Sequence, residues 1–188
     1  MVIQYFGEGG LRVQSGDVSL LLNPANNRLK ADVVLKTLTL TNVAPPSDSE
    51  IVFPGEYETK GIEIQGWQVA AESNEKFTKT VYAVNWENIR FVFLGHISKP
   101  PEKDLLEEIG EPDVLVLPTG DSHFLSPADG AKLVKQLGPA MVIPAFYKSA
   151  SELVKALGGK AEEEEKAVFK KKDLIAGKRR VVVLTPKG

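Results

Sequence analysis

The sequence predicts a layered α/β protein in which mixed β-sheets carry helices on their outer faces. Two observations predict it. The first half consists mostly of short apolar runs closed by Gly, Asn and Pro, and from about residue 100 strands alternate with helix-period segments. At 188 residues the chain suits one compact domain, expected to span residues 1–188.

Residues 2–6, 11–14 and 18–22 are strand-like runs joined by Gly7-Glu8-Gly9-Gly10 and Ser15-Gly16-Asp17. Val33-Val34-Leu35, a continuous apolar run after Asp32, suits a buried strand. Pro45-Pro46-Ser47-Asp48-Ser49 reads as a loop, and Phe53-Pro54-Gly55-Glu56-Tyr57-Glu58 as a structural turn. Residues 62–69, 80–86 and 90–94 add three strands, the last two joined around Glu87-Asn88. Residues 101–109 place Leu105, Leu106 and Ile109 on one helical face, and a buried strand over 113–117 follows. Ser126-Pro127 supplies an N-cap and a proline at the first helical position. Ala131, Leu133, Val134 and Leu137 form the stripe of a helix that stops at Gly138-Pro139. A strand over 141–143, a helix over 151–157 ending at Gly158-Gly159, and strands over 167–170 and 181–184 complete the chain.

Composition excludes several functions. With no cysteine, there are no disulfides, thiolate nucleophiles or cysteine-ligated metal centres, which accords with a reducing compartment. His96 and His123 are the only histidines, too few for a histidine-rich metal site. A formal charge of −2 lacks the basic excess of a general nucleic-acid binder, so nucleic acid is not an expected partner. Residues 148–188 do carry a net charge of plus five, against minus seven for the rest. This basic portion reads as a solvated surface of mixed sign, with an anion-binding face as the alternative. The N-terminus shows no signal-peptide pattern, and no segment reaches the ~18 apolar residues of a membrane span. No membrane association is expected, and the expected location is the cytoplasm. Gly7-Glu8-Gly9-Gly10 lacks the spacing of a dinucleotide fingerprint, no phosphate loop occurs, and neither Ser122 nor Ser126 sits in a nucleophile elbow.

Several phrases, taken in order, resemble the small members of the metallo-β-lactamase superfamily described as zinc-dependent hydrolases. They are Tyr5-Phe6-Gly7, Asn23-Pro24, Ala31-Asp32-Val33-Val34-Leu35-Lys36-Thr37 and the Phe53 to Glu58 phrase. Phe93-Leu94-Gly95, Asp113-Val114-Leu115-Val116-Leu117-Pro118-Thr119-Gly120 and Val142-Ile143-Pro144 with Tyr147 continue the series. The resemblance implies a four-layer αββα sandwich of two mixed β-sheets flanked by helices. It also implies a zinc site in the loop that reads T-H-x-H-x-D-H in the family, where the metal turns bound water into hydroxide.

In this chain that loop is Thr37-Leu38-Thr39-Leu40-Thr41-Asn42-Val43, so Leu38, Leu40, Asn42 and Val43 stand at ligand positions. Glu8 follows Gly7 where the family has G-H, His96 follows Gly95 where it has G-D, and Phe146 stands in place of the histidine of M-H-Y. The histidine expected after Gly66-Trp67 does not occur between residues 67 and 79. Hydrocarbon offers no lone pair, so the resemblance implies a degenerate metal site, a pseudoenzyme without the hydrolase activity and a role as a binding or assembly module. Leu38, Leu40 and Phe146 are then expected to be buried neighbours plugging the old site.

An alternative stays open. Glu8, His96, Asp121 and His123 are numerous enough for a rebuilt metal site, with zinc as cofactor only in that case. Without metal, Glu8, His96 and Tyr147 are the catalytic candidates, Glu8 and His96 as an acid–base pair. The plainer expectations are structural: His96 hydrogen-bonded to Glu8 or backbone with its pKa raised by the carboxylate, and His123 a loop residue beside the Ser126 cap. No specific partner follows; a small ligand, a protein or a second copy of the chain are the classes considered.

Overall fold

The computed structural model describes residues 1–26, 28–43, 47–120 and 123–187. Pro45, Pro46, Asp121 and Ser122 lie outside the described residues. The chain opens with β1 (Val2–Tyr5), β2 (Leu11–Ser15) and β3 (Val18–Leu22), an antiparallel meander continued by β4 (Val33–Leu35) parallel to β3. β5 (Leu38–Leu40) leaves this sheet, and β6 (Glu50–Ile51) returns to it beside β4. A second meander follows: β7 (Gly55–Thr59), β8 (Ile62–Gln68), β9 (Phe77–Trp86) and β10 (Ile89–Phe93).

Helix α1 (Lys103–Ile109) leads to β11 (Val114–Pro118), α2 (Pro127–Leu137) to β12 (Met141–Ala145), and α3 (Ser151–Ala156) to β13 (Glu162–Glu164). β14 (Ala167–Val168) pairs with β1, and β15 (Arg180–Leu184) lies between β12 and β13. The strand orders are β14-β1-β2-β3-β4-β6 in the smaller sheet and β13-β15-β12-β11-β10-β9-β8-β7 in the larger, with β5 attached to β9. Both sheets mix parallel and antiparallel pairs, and face to face they make the expected sandwich.

The apolar pattern explains the layers. Ile3, Tyr5, Leu11 and Val13 alternate inward from β1 and β2 and meet Tyr82, Phe91, Phe93 and Ile143 of the larger sheet in the inter-sheet core. β11 and β12 are buried along their whole length. Their opposite face, with Leu115, Leu117 and Val142 beside Val92 of β10, packs under Leu106, Ile109, Leu133, Val134 and Leu153 of the three helices. Each such side chain contributes on the order of 1.5–3 kcal/mol by leaving water. The outer face of the smaller sheet instead carries Gln4, Arg12, Gln14 and Ser19 on β1, β2 and β3, in keeping with an antiparallel meander that faces solvent on one side.

The turns and caps follow the residue types. Glu87 and Asn88 both adopt positive φ, 51° and 61°, as a two-residue hairpin requires. Ser126 Oγ accepts from Asp129 N–H at 3.1 Å, capping α2, and Gly138 ends it in the left-handed region. The charged run at Glu162 becomes the edge strand β13, tied to β15 by ion pairs from Arg180 to Glu162 and Glu164. The Phe53 to Glu58 phrase is more than a turn, because Gly55–Thr59 pairs along β8.

The largest departure from expectation concerns residues 37–43. The structure makes Leu38–Leu40 a strand, with Leu38 opposite Lys79 and Leu40 opposite Phe77. Alternation then turns Thr37 and Thr39 inward and the leucines outward, leaving Leu38 36% and Leu40 51% exposed. Thr39 Oγ1 donates to the Val52 carbonyl at 3.2 Å, so the inward face is polar and satisfied. The expected buried cluster of Leu38, Leu40 and Phe146 is therefore absent: a strand period of two sends these leucines to solvent. Histidine at either position should cost no more than about 0.5–1 kcal/mol, measured by urea denaturation of Leu38→His and Leu40→His, whereas a buried plug would lose several.

Candidate functional site

Four connections meet at one end of the sandwich. The β1–β2 turn brings Glu8, the segment after β10 brings His96, and the end of β11 brings Thr119 and Gly120. Phe124 precedes α2, and Phe146 and Tyr147 follow β12. These residues line a cavity of about 710 Å³ that extends to Lys148 and to Glu152 of α3. The sequence-predicted Glu8, His96, Phe146 and Tyr147 are thus brought together.

The other candidates do not join them. Asp121 lies outside the described residues. His123 is exposed in the turn before α2, close to the Ser126 cap as its loop reading expects. Leu38, Leu40, Asn42 and Val43 do not line the cavity, and the first three are exposed.

His96 is placed by groups that the sequence reading did not single out as functional. Asn23 ends β3 with φ of 44°, a conformation asparagine tolerates better than most residues, and its Oδ1 accepts from Thr37 N–H at 2.8 Å. Asn23 Nδ2 donates to Thr37 Oγ1 at 2.9 Å, and Thr37 Oγ1 lies 2.8 Å from His96 Nδ1. A Cβ on Gly95 would come within 2.4 Å of the Thr37 side chain, so this approach requires glycine before His96. Asn23-Pro24 and Thr37 were visible as phrases; only the fold shows that they converge on one imidazole.

The backbone beyond His96 is pinned as well. The Glu72 carboxylate accepts from the Ser98 and Lys99 N–H groups at 2.9 Å each, from Ser98 Oγ at 2.9 Å, and pairs with Lys79 Nζ at 2.8 Å. Burial works to raise the Glu72 pKa, but the hydrogen bonds from Lys79, Lys99 and Ser98 together hold it below its ordinary value. Burial, with a smaller contribution from the Lys79 charge, pushes the His96 pKa down to about 4. This corrects the expectation of a Glu8-bonded histidine with a raised pKa: the partner is a neutral hydroxyl, and desolvation acts against the charged ring.

Phe146 occupies a constrained position. Its φ is 59°, its N–H donates to Tyr5 Oη at 3.0 Å, and its ring stacks on Phe124 at 4.6 Å while meeting His96 edge-on at 4.5 Å. A Cβ at Gly9 would fall 2.0 Å from that ring, so the bare glycine makes room for it. Tyr147 stacks on Tyr5 at 5.5 Å and donates to the Leu184 carbonyl, and burial pushes its pKa up to about 12. Its proton is thereby committed to structure.

Among the described residues the side chains at the cavity do not supply the donors of a zinc site of the family's kind. Among the described residues no three His, Asp or Glu side chains gather where they could hold a metal, and Nδ1 of His96 is spent on Thr37. What the arrangement offers instead is a cavity with aromatic walls, one uncharged imidazole and a rim of mixed charge. Among the described residues no helix is long and apolar enough to cross a membrane.

A family model for the β-lactamase superfamily domain matches residues 2–145. A curated relative, a UPF0173 metal-dependent hydrolase from Thermococcus onnurineus, is 25% identical over 129 residues, 68% of this chain and 53% of its own length. The chain thus spans about half the length of that relative. Among solved structures, a Thermotoga maritima protein assigned to the Zn-dependent hydrolases of the metallo-β-lactamase superfamily superposes with a TM-score of 0.82 at 22% identity, over 97% of each chain. Igni18, a metallo hydrolase from Ignicoccus hospitalis, superposes at 0.69 with 15% identity, over 100% of this chain and 96% of its own. At these identities the structural likenesses speak to the fold. The matched span covers most of the sequence and both halves of the sandwich, and by it the chain belongs to the β-lactamase superfamily, on the metallo-β-lactamase fold.

Proposed function

We propose that this chain is a degenerate member of its superfamily, a pseudoenzyme that keeps the scaffold as a ligand-binding module and does not carry out zinc-dependent hydrolysis. The observation that carries the reading is the donor set. Leu38 and Leu40, at family ligand positions, are hydrocarbon on the outward face of β5, and Phe146 places a phenyl ring where the resemblance expects an imidazole. His96, the remaining imidazole at the cavity, is committed through Nδ1 to Thr37 and held uncharged by burial. A metal site needs several such groups with free lone pairs aimed at one point. The cavity itself, at about 710 Å³, is within the range of small-molecule sites, which favours binding over a purely inert scaffold.

Elemental analysis of protein purified without chelator tests this directly. The expected result is well below one equivalent of zinc, manganese or iron, with hydrolysis of a phosphodiester such as bis(p-nitrophenyl) phosphate at background after zinc is added. One tightly bound equivalent that is lost in His96→Ala or His123→Ala would overturn the reading in favour of a site rebuilt from Glu8, His96, Asp121 and His123.

The buried imidazole also predicts a pH dependence. With a folded pKa near 4 and an ordinary unfolded value near 6.5, the unfolded chain binds the extra proton first as pH falls. Stability should therefore decline from about pH 6.5 to pH 4, by up to roughly 3 kcal/mol from this one group, and then level off. Denaturant titrations at stepped pH, compared with His96→Gln, should show that slope in the wild-type chain and its loss in the variant. A His96 ring that titrates near 6.5 by NMR contradicts this.

A further inference from the structure

The hydrogen-bond chain behind His96 decides which nitrogen carries the proton. Asn23 Oδ1 already accepts from Thr37 N–H at 2.8 Å, which fixes the amide orientation and makes Nδ2 the donor to Thr37 Oγ1 at 2.9 Å. The Thr37 hydroxyl proton then has two acceptors within reach, His96 Nδ1 at 2.8 Å and Asn23 Oδ1 at 3.1 Å, and the shorter contact goes to the imidazole. With the hydroxyl donating along that shorter contact, Nδ1 is the acceptor and the neutral ring carries its proton on Nε2. Among the described residues Nε2 has no hydrogen-bond partner, and His96 lines the cavity. In that tautomer the imidazole lining the cavity is an uncharged N–H donor.

The surroundings narrow the ligand further. Phe124, Phe146 and Tyr147 provide an aromatic wall beside that donor. The charged groups at the rim are Glu8, Lys148 and Glu152, all exposed, so two carboxylates face one ammonium and no buried charge awaits a counter-ion. An anion finds no cationic excess there, and a cation meets a donor rather than an acceptor at the inner end. We infer that this cavity takes an uncharged, planar heteroaromatic compound with a ring or exocyclic hydrogen-bond acceptor, stacked along the Phe124–Phe146 wall and accepting from His96 Nε2–H. The inference rests on the binding-module reading given above and adds the chemical class of ligand.

The test titrates the full chain with four probes of similar size and follows the aromatic NMR signals. They are nicotinamide (planar, neutral, acceptor), cyclohexanecarboxamide (acceptor without a planar ring), benzoate (planar anion) and benzyltrimethylammonium (a cation on an aromatic ring). Nicotinamide should shift the His96 ring resonances saturably and bind at least about tenfold more tightly than the other three. Phe124→Ala, on the loop before α2, should weaken it by about fivefold or more. Because the acceptor, the plane and the charge are varied on the probe, the result stands even if Phe124→Ala unfolds. Benzoate or benzyltrimethylammonium binding as tightly as nicotinamide, or no saturable shift with nicotinamide at tens of millimolar, overturns the inference. Zinc content of the same sample separates the two levels. A metal-loaded protein overturns the binding-module reading and this inference with it, whereas a metal-free protein that ignores nicotinamide overturns the ligand class alone.

Discussion

The Thr37 side chain is the joint on which the site depends. It is fully buried where the chain leaves the smaller sheet for the larger one, and its hydroxyl connects Asn23 at the end of β3 with His96 beyond β10. A serine-sized polar group buried at a sheet junction costs free energy unless every bond is made, and here donor and acceptor are both used. That requirement fixes the neighbours: Asn23 in a left-handed conformation, a glycine at 95, and a hydrogen-bonding side chain at 96.

Glu72 does for the backbone what Thr37 does for the side chain. Four donors converge on it, three of them from Ser98 and Lys99, so the segment carrying His96 is held at both ends. The Lys79 ammonium that neutralises Glu72 also disfavours protonation of His96, which couples the clamp to the charge state of the ring. Precision at the cavity therefore comes from polar anchors in its supporting shell, while the aromatic wall supplies shape.

The fold was largely legible because period and turn chemistry agree. The β1–β3 meander, the Glu87-Asn88 hairpin and the capped α2 each follow from local residue types, and the ordered family phrases supplied the sandwich. Two of the misreadings share one cause. Leu38–Leu40 and Glu162–Glu164 are strands made by pairing with a distant partner, β9 and β15, and neither segment advertises that partner locally. At the site, the departure of residues 37–43 from the family's T-H-x-H-x-D-H pattern was plain in the sequence, whereas the direction of Leu38 and Leu40 depended on a strand register that composition does not encode. The role of Asn23 was hidden because its partner is fourteen residues away and meets it only through the sheet crossover.

The packing of Phe146 against Gly9 has a historical consequence. The ring fills the space that any β-carbon at residue 9 would need, while the left-handed backbone at 146 is held by Tyr5 from the facing sheet. Residues 9 and 146 are thus contingent on one another: a side chain can be gained at the first only after the aromatic ring is given up at the second. Drift at this end of the molecule must pass through paired changes, so the two positions are expected to vary together across descendants of this chain and to stay frozen when either varies alone.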